Sequence, residues 1–440
     1  MLLRSPNAAA IRTAAPVNDS EPAAPPTGPV DLHTRHAVVY SDFRRMLIGA
    51  LAATIAWWGL FVLIGYRVAE LFPDQPRIFG YMGLSRAVPA LAVALLGGYL
   101  ADRMDRRKLI LLATGLDLFA AVAITAGIGA AEDTILYWIL PAMFLQGVTR
   151  GITGPTFTAF EAELVPPRAA VSAATWGAGV FQTAAVVGPV LGGLLIEPIG
   201  STAAAAAITL LYVVAAASIW RIRPRGAPLQ LQRESVWASI AGGIRFVLSR
   251  RLLWTSMALD LFAVFFAGAV AILPLFAKDI LHVDPARLGL LTSAPFAGAF
   301  LASLLCAIRP PRAHTGPMLL LSVFGFGLCM IVFALSKSLW LSMTALFLSG
   351  VFDGVSVVIR KSILRLFSPN HMRGRLAAVS SIFIIASNEL GEFESGMAAE
   401  LFGLVESVAL GGVVSLCVVL LVAAFSPELR RLDFRELTEK

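Results

Sequence analysis

The chain has 440 residues, of which 58% are hydrophobic and 14% are charged, and its mean hydropathy is +0.79. Soluble domains carry about 25% charged and 45–50% apolar residues, so this composition excludes a soluble enzyme, a disordered chain and a disulfide scaffold. The net charge of +7 is typical of basic loops on one side of a membrane, and we expect no nucleic-acid partner. The three cysteines lie within apolar runs and predict neither disulfides nor a metal site.

Residues 1–43 are rich in Pro, Ala and Ser and are predicted to form a disordered cytoplasmic tail. Long apolar runs follow, and a membrane-spanning helix needs ~20 mainly apolar residues. Since only helices and closed barrels satisfy the backbone within lipid, we predict an all-α membrane protein with twelve transmembrane helices. These spans 1 to 12 are predicted at 46–69, 79–101, 109–131, 135–158, 171–196, 202–220, 253–277, 286–308, 317–336, 339–359, 376–399 and 403–425.

The spans fall into an N-terminal six-helix bundle over 44–220 and a C-terminal bundle over 253–425, and 426–440 is predicted to be a cytoplasmic tail. The cytoplasmic linker 221–252 between the bundles carries seven arginines against the single acid Glu234. Its apolar residues form one helical stripe: Val236, Trp237, Ile240, Ile244, Val247 and Leu248. The stripe predicts either a helix in the membrane surface or a short helix packed under the bundle.

The basic residues are distributed unevenly between the loops. Of the 35 Lys and Arg residues, 28 fall in segments on the side of the two chain ends, and four fall on the opposite side. The positive-inside rule therefore predicts that both termini are cytoplasmic. The remaining three, Arg67, Arg86 and Arg150, lie inside predicted spans.

A weak internal repeat supports two pseudo-symmetric halves. The sequence Ala-Ala-Val-Ser occurs at 169–172, at the start of span 5, and again at 377–380, at the start of span 11. Many transporters consist of two such repeats and bind their substrate between them, near the middle of the bilayer.

The turn after span 2 reads Gly-Tyr-Leu-Ala-Asp-Arg-Met-Asp-Arg-Arg-Lys over 98–108 and resembles the signature loop of the major facilitator superfamily. Asp105 stands where that signature usually has glycine, which leaves the geometry of the turn open. The resemblance implies the major facilitator fold and a cytoplasmic gate in which this loop locks the halves together through span 11. The implied gate residues are Gly98, Asp102, Arg103, Arg106 and Arg107. The alternative is that these charges only anchor the loop at the cytoplasmic face.

Span 5 contains Gly188, Pro189, Gly192 and Gly193, which resemble the core of the antiporter signature of exporters in this superfamily. Glycines that only pack helices together are the alternative. The stretch 364–399 resembles a bacterial branch related to the enterobactin exporter. The resemblance implies a monomeric transporter of the bacterial inner membrane that exports a small molecule, a drug-like compound or a siderophore, in exchange for protons and without a cofactor. An importer or uniporter of a small metabolite on the same fold is the alternative.

Charges inside the spans are candidate functional groups, because a charge at a helix centre costs about 2.5–3.5 kcal/mol on insertion scales. Arg86 of span 2 and Glu392 of span 11 lie at similar depths, and these spans face each other in the family fold. We therefore predict an outer gate in which Arg86 pairs with Glu392, or else with Glu394. The alternative is that the glutamates bond within their own half. Asp117 of span 3 is expected to make a structural hydrogen bond.

Spans 1, 4, 7 and 10 line the central cavity of the family fold, which makes their polar residues candidates for substrate or proton binding. The candidates for proton coupling or substrate binding are Arg150, Asp260, Asp353 and Glu389, with Glu389 and Asp353 favoured as proton carriers. The competing interpretation is a static ion pair of Arg150 with Asp353 or Glu161. The cavity aromatics are expected among Trp57, Trp58, Phe262 and Phe266, and only one of the adjacent tryptophans can face the cavity.

The chain contains no Walker loop, nucleotide-binding fingerprint or zinc-ligand spacing. We therefore predict no ATP hydrolysis, no cofactor and no metal. A membrane-embedded enzyme or a non-transporting interaction protein is a third class, and it is disfavoured because the in-span charges are distributed over both halves.

Overall fold

The computed structural model describes residues 36–223, 236–369 and 372–435, and the described chain is helical with connecting turns. Long apolar runs form helices here because a helix satisfies every interior backbone group within lipid. The helices are α1 Ser41–Leu71, α2 Arg77–Arg103, α3 Arg106–Ile128, α4 Ile135–Leu164, α5 Ala170–Ile199, α6 Ser201–Trp220, α7 Val236–Ser249, α8 Arg251–Ala267, α9 Leu273–Leu275, α10 Pro285–Ile308, α11 Thr315–Leu335, α12 Leu339–Leu366, α13 Arg373–Phe402, α14 Leu404–Phe425 and α15 Pro427–Arg430. Helices α1–α6 correspond to spans 1–6, α8 with α9 to span 7, and α10–α14 to spans 8–12.

Within the described residues, nine helices are long and apolar enough to cross a membrane: α1, α3–α6, α10–α12 and α14. The predicted spans outside this set are α2, α8 and α13. Helix α8 is short, with 17 residues, and α2 and α13 carry the in-span charges of the predicted outer gate. We call the end of the bundle where α1 begins and α14 ends the terminal face, and the opposite end the far face.

The helices form two bundles that meet along two seams. In the first bundle α2 packs against α4, and α1 packs against α5 and α6. In the second, α10 packs against α12, and α11 packs against α12 and α14. Between the bundles α2 lies against α13, and α5 lies against α10.

Span 7 differs from the prediction of one continuous helix over 253–277. Helix α8 ends at Ala267, the chain is not helical over 268–272, and a π-helical turn occupies Phe276–Ile280. Glycine and proline explain the break, since Gly268 weakens the helix and Pro274 removes a backbone donor. The carbonyl of Gly268 accepts a hydrogen bond from Ser395 at 3.0 Å, which satisfies one backbone group at the break.

The predicted tails are shorter in the structure. Residues 37–39 form a short helical turn and α1 starts at Ser41, so the predicted disordered segment 1–43 is wrong over its last residues. The reason is apolar burial, since Phe43 is fully buried. Likewise, Leu432 of the predicted 426–440 tail is buried, and its carbonyl accepts hydrogen bonds from Thr315 and Gly316 at the start of α11.

Helix α7 occupies the linker where the apolar stripe predicted a helix. Val247 is buried in a cluster with residues of α8, α12 and α13, so part of the stripe packs against the second bundle. Ile244 and Leu248 are exposed. Residues 224–235 of the linker lie outside the described chain.

Candidate functional site

Arg86 is the centre of a buried charge network between the two bundles. It lies nine residues into α2 from the far face and is 1% exposed. Its Nε donates to Glu389 of α13 at 2.5 Å, and its Nη2 donates to Glu392, one turn further along α13. A buried charge is stable only when it is paired and hydrogen-bonded, so this pairing requires α2 and α13 to stay together. The contact expected between Arg86 and Glu392 is present, and its gating role stays a prediction.

Arg150 of α4 adds a second arginine to the network. Its Nε lies 3.0 Å from Oε1 of Glu389, and its side chain is 39% exposed. Both oxygens of Glu389 therefore accept from a guanidinium, Oε2 from Arg86 and Oε1 from Arg150. The alternative pairing of Arg150 with Asp353 or Glu161 is wrong, because Arg150 pairs with Glu389, which it shares with Arg86.

Trp57 of α1 lies against both guanidinium groups. Its ring centre is 5.2 Å from the Arg86 guanidinium carbon and 5.1 Å from that of Arg150, which is within cation–π range. Trp57 lines a small cleft with Arg86 and apolar side chains of α1, α2 and α4. Trp58 points elsewhere: its ring packs at 4.4 Å against Phe296 of α10. Trp57 therefore lines the cleft, and Trp58 packs in the seam between the bundles.

Glycines on the α2–α13 seam let the two backbones approach closely enough for these contacts. A methyl group at Gly83 would lie 2.7 Å from Cβ of Glu392 and 3.0 Å from the amide nitrogen of Phe393. Gly80 and Gly396 face each other one turn nearer the far face. Small residues serve the same purpose in membrane helix pairs generally.

Two further polar contacts join the bundles at the far face. Nζ of Lys278, in the π-helical turn, donates to the carbonyl of Ala69 at 2.9 Å, where the C-terminus of α1 offers unpaired carbonyls. Arg77 lies 3.6 Å from Glu400 of α13, and its backbone amide also donates to that carboxylate. All these contacts lie in the far-face half of the helices, so the bundles are joined there.

A second charge cluster lies within the C-terminal bundle. Arg360 of α12 is paired with Asp260 of α8, and its other amine nitrogen lies 3.8 Å from Asp353. Asp353 is 38% exposed, whereas Asp260 and Arg360 are each 13% exposed. Sequence reasoning missed Arg360, because it placed the end of span 10 at residue 359 and counted this cation as a loop charge. Helix α12 continues to Leu366.

The remaining candidates near the cleft have less defined roles. Glu394 lies on α13 but has no hydrogen-bond or ion-pair partner among the described residues, so the structure does not bring it to Arg86. Phe262 and Phe266 of α8 stack with their ring centres 6.4 Å apart, and Phe262 is 44% exposed. Asp117 contacts the hydroxyl of Thr149, in agreement with the expected structural hydrogen bond.

The basic residues after span 2 hold their loop against the N-terminal bundle. Arg106 lies 3.2 Å from Glu163 of α4 and donates to the carbonyl of Ala101 at 3.1 Å. Arg107 donates to two carbonyl groups at the C-terminal end of α6. These bonds anchor the loop within its own half, as the alternative interpretation expects.

The surroundings of Gly98 and the side chain of Asp102 lie outside the described part of the structure, so the predicted cytoplasmic gate stays a prediction. Arg103 ends α2 with an exposed side chain. Asp105 caps α3: its φ is −58° and its carboxylate accepts from the amide of Lys108 at 3.2 Å. The turn therefore needs no left-handed residue, which explains why aspartate can stand where glycine is usual.

The glycines of the antiporter-type motif face two different neighbours. A methyl group at Gly188 would lie 2.6 Å from Cβ of Trp58, and one at Gly192 would lie 2.6 Å from the carbonyl of Gly59, so both pack α5 against α1. Gly193 instead faces Gly289 of α10, in the other bundle. Pro189, inside the same helix, lies at this seam as well. Close packing is thus part of what the motif does here, and its link to export stays a prediction.

Two six-helix bundles that meet along two seams, with buried charges paired across one of them, are the architecture of a membrane transporter. A family model described as transmembrane secretion effector matches residues 37–438. The chain belongs to this family of the major facilitator superfamily.

Similar proteins agree with this membership. The multidrug efflux pump Tap of Mycolicibacterium fortuitum is 26% identical over 377 residues, which cover 80% of this chain and 88% of Tap. The enterobactin exporter EntS of Shigella flexneri is 26% identical over 379 residues, which cover 84% of this chain and 88% of EntS. A D-xylose–proton symporter superposes with a TM-score of 0.70 at 14% identity, over 89% of this chain and 98% of the symporter, and this likeness shows the fold.

Proposed function

We propose that this transporter exports a small molecule, a drug-like compound or a siderophore, from the bacterial cytoplasm in exchange for protons. The proposal is supported by the similarity to Tap and EntS, whose names describe export, over most of the chain. It is supported further by the glycine–proline motif of α5. The protein works as a monomer, with both termini in the cytoplasm, so that the terminal face is cytoplasmic and the far face is outside.

The observation that carries the mechanism is the network of Arg86, Arg150, Glu389 and Glu392. Arg86 and Arg150 belong to the first bundle and the two glutamates belong to the second. The network exists only while α2, α4 and α13 are together, so it closes the outside. Opening the outside separates these charges, and water or a bound substrate must then replace the lost partners.

The charge cluster of the second bundle is suited to bind the coupled ion or a cationic group of the substrate. Asp353 shares Arg360 with Asp260 and is more exposed than either partner. Two carboxylates against one guanidinium leave one negative charge that a proton or an organic cation can neutralise. Glu389 is less suited to carry a proton in this state, because both of its oxygens already accept from arginines.

Transport into inverted membrane vesicles tests this function. The vesicles expose the cytoplasmic face, and their interior is acidified by respiration. We expect accumulation of enterobactin or of the cationic dye ethidium, abolished by a protonophore and by Asp353→Asn. The matched control is Asp133→Asn, an exposed acid in the α3–α4 loop, which should transport normally. Loss of the probes from preloaded inverted vesicles would indicate import, and uptake insensitive to the protonophore would exclude proton coupling.

A further inference from the structure

Arg150 is a cation in the middle of a membrane helix that the charge network satisfies only in part. It lies fifteen residues into the 30-residue helix α4, and its side chain is 39% exposed, compared with 2% for Arg86. Among the described residues its acid partner is Glu389 alone, whose Oε1 lies 3.0 Å from Nε of Arg150. A guanidinium carries five N–H donors, so one carboxylate oxygen leaves most of them available to another anion.

The exposed part of Arg150 lies between the bundles and not against lipid, where a cation at this depth would be unfavourable. Its two contacts are with Trp57 of α1, whose ring centre is 5.1 Å away, and with the buried Glu389 of the other bundle. Gly154 follows one turn nearer the terminal face, on the same side of α4. A methyl group at Gly154 would meet no described atom within 4 Å. There is therefore room for a ligand beside the guanidinium.

Aromatic side chains flank this cation. Trp57 and Phe61, one turn apart on α1, stack with their ring centres 6.0 Å apart and an angle of 19° between the ring planes. Both line the small cleft together with Gln146, which precedes Arg150 by one turn on α4. A guanidinium binds a carboxylate with two parallel hydrogen bonds, and apolar rings pack against the apolar body of a ligand. The combination therefore suits an anionic group that is attached to a ring system.

The charge balance of the network depends on both bundles. Arg86 and Arg150 belong to the first bundle, and Glu389 and Glu392 belong to the second, so the four charges cancel only while α13 is in place. When α13 withdraws, Arg150 loses its acid partner. A negatively charged ligand on the first bundle would replace that partner, whereas a positively charged ligand would not.

We propose that Arg150 binds the anionic group of the transported molecule, a carboxylate or a related organic oxyanion, and that Trp57 and Phe61 pack against its aromatic or flat apolar body. The anion binds the donors that Glu389 leaves available, and it becomes the counter-charge of Arg150 when α13 withdraws. Because the anion then no longer competes with Glu389, its binding favours the state that is open at the far face. Ethidium lacks an anionic group, so its binding does not depend on Arg150. The inference rests on the proposed export function and names the class of substrate.

Equilibrium binding of 2-naphthoate and 2-naphthamide to the purified protein in nanodiscs of zwitterionic lipid tests this. The two probes share a ring system and differ in charge, and empty nanodiscs correct for their partitioning into lipid. The wild type should bind the naphthoate more tightly than the amide. Arg150→Gln should weaken naphthoate binding by about 10- to 150-fold, which is the contribution of hydrogen bonds to a charged group, and should leave ethidium binding unchanged. Glu389→Gln breaks the same ion pair but keeps the cation, so it should strengthen naphthoate binding.

A purely structural role of Arg150 would give a different pattern. Both substitutions remove the same contact between the bundles, so a structural role would change naphthoate binding in the same direction in both variants. That result, equal wild-type affinity for the two probes, or loss of ethidium binding in Arg150→Gln would overturn the proposal. The binding measurements need no proton gradient and no defined membrane side. If the affinities behave as expected while inverted vesicles accumulate no probe, the proposed function fails and the anion site stands.

Discussion

Replacing Arg86 with leucine is expected to open the far face, because the guanidinium pairs with two glutamates that belong to the other bundle. Removing one partner of a buried ion pair is unfavourable by about 3–5 kcal/mol. The pairing exists only when α2 and α13 are together, so this penalty falls on the state closed at the far face. Since 1.4 kcal/mol corresponds to a factor of ten, a penalty of about 3–5 kcal/mol should raise the open population relative to the closed one on the order of 100- to 4,000-fold.

Spin labels in exposed loops of opposite bundles can report this shift. Cysteines at Asp133, before α4, and at Lys337, before α12, lie at the far face of the two bundles, and the three native cysteines would first be replaced by serine. Double electron–electron resonance should show a longer distance gaining population in Arg86→Leu. The matched control is Arg67→Leu, which removes an ion pair made within α1 with Glu70 and should leave the distribution unchanged. Equal distributions for wild type and Arg86→Leu would refute the gating argument.

Three further perturbations have defined outcomes. Gly83→Ala should also favour the open far face, because overpacking against Glu392 is unfavourable by about 1–3 kcal/mol. The control Gly115→Ala, with open space around it, should leave the spin-label distances unchanged. Equal effects of the two substitutions would contradict the close-packing argument. Trp57→Leu should weaken ethidium transport, because Trp57 lines the cleft beside Arg86 and Arg150, and Trp340→Leu, 75% exposed, should transport as wild type does. The backbone amides of His314 and Arg435 hold the pKa of Asp433 below its usual range. The ionised carboxylate therefore stabilises the docked C-terminal segment fully above the ordinary Asp pKa of about 3.9. This stabilisation is lost as the pH falls through the lowered pKa. The hydrogen-exchange protection of the Leu432 amide, relative to its intrinsic exchange rate at the same pH, should fall in acid. At neutral pH it should fall in Asp433→Ala, and unchanged protection in either case would refute this.

Most of the fold could be predicted from the distribution of apolar residues. Runs near twenty residues defined the spans. The similar depth of Arg86 and Glu392, together with the resemblance to a fold in which spans 2 and 11 face each other, predicted that they could meet. The break in span 7 was missed because Gly268 and Pro274 interrupt a run that stays apolar throughout. Hydropathy predicts whether a segment lies in lipid or in water, but it does not predict whether the helix is continuous.

The partners of the site charges were harder to predict than their depth. A helical wheel places Glu389 and Glu392 on neighbouring turns. It cannot show that Arg86 pairs with both glutamates or that Arg150 of α4 also pairs with Glu389. Arg360 was missed because it begins a basic group, with Lys361 next in the chain, that is typical of a loop. Its burial depends on two acids from α8 and α12, which are contacts that only the folded bundle defines.

The most direct test of alternating access is a reversible cross-link across the far face. Arg77 and Glu400 lie side by side there on opposite bundles, so cysteines at these positions can be joined by a short reagent with a cleavable disulfide. If the far face must open in every cycle, cross-linked protein in inverted vesicles should bind ethidium but not accumulate it, and reduction should restore accumulation. Accumulation at the wild-type rate with the cross-link intact would contradict the mechanism.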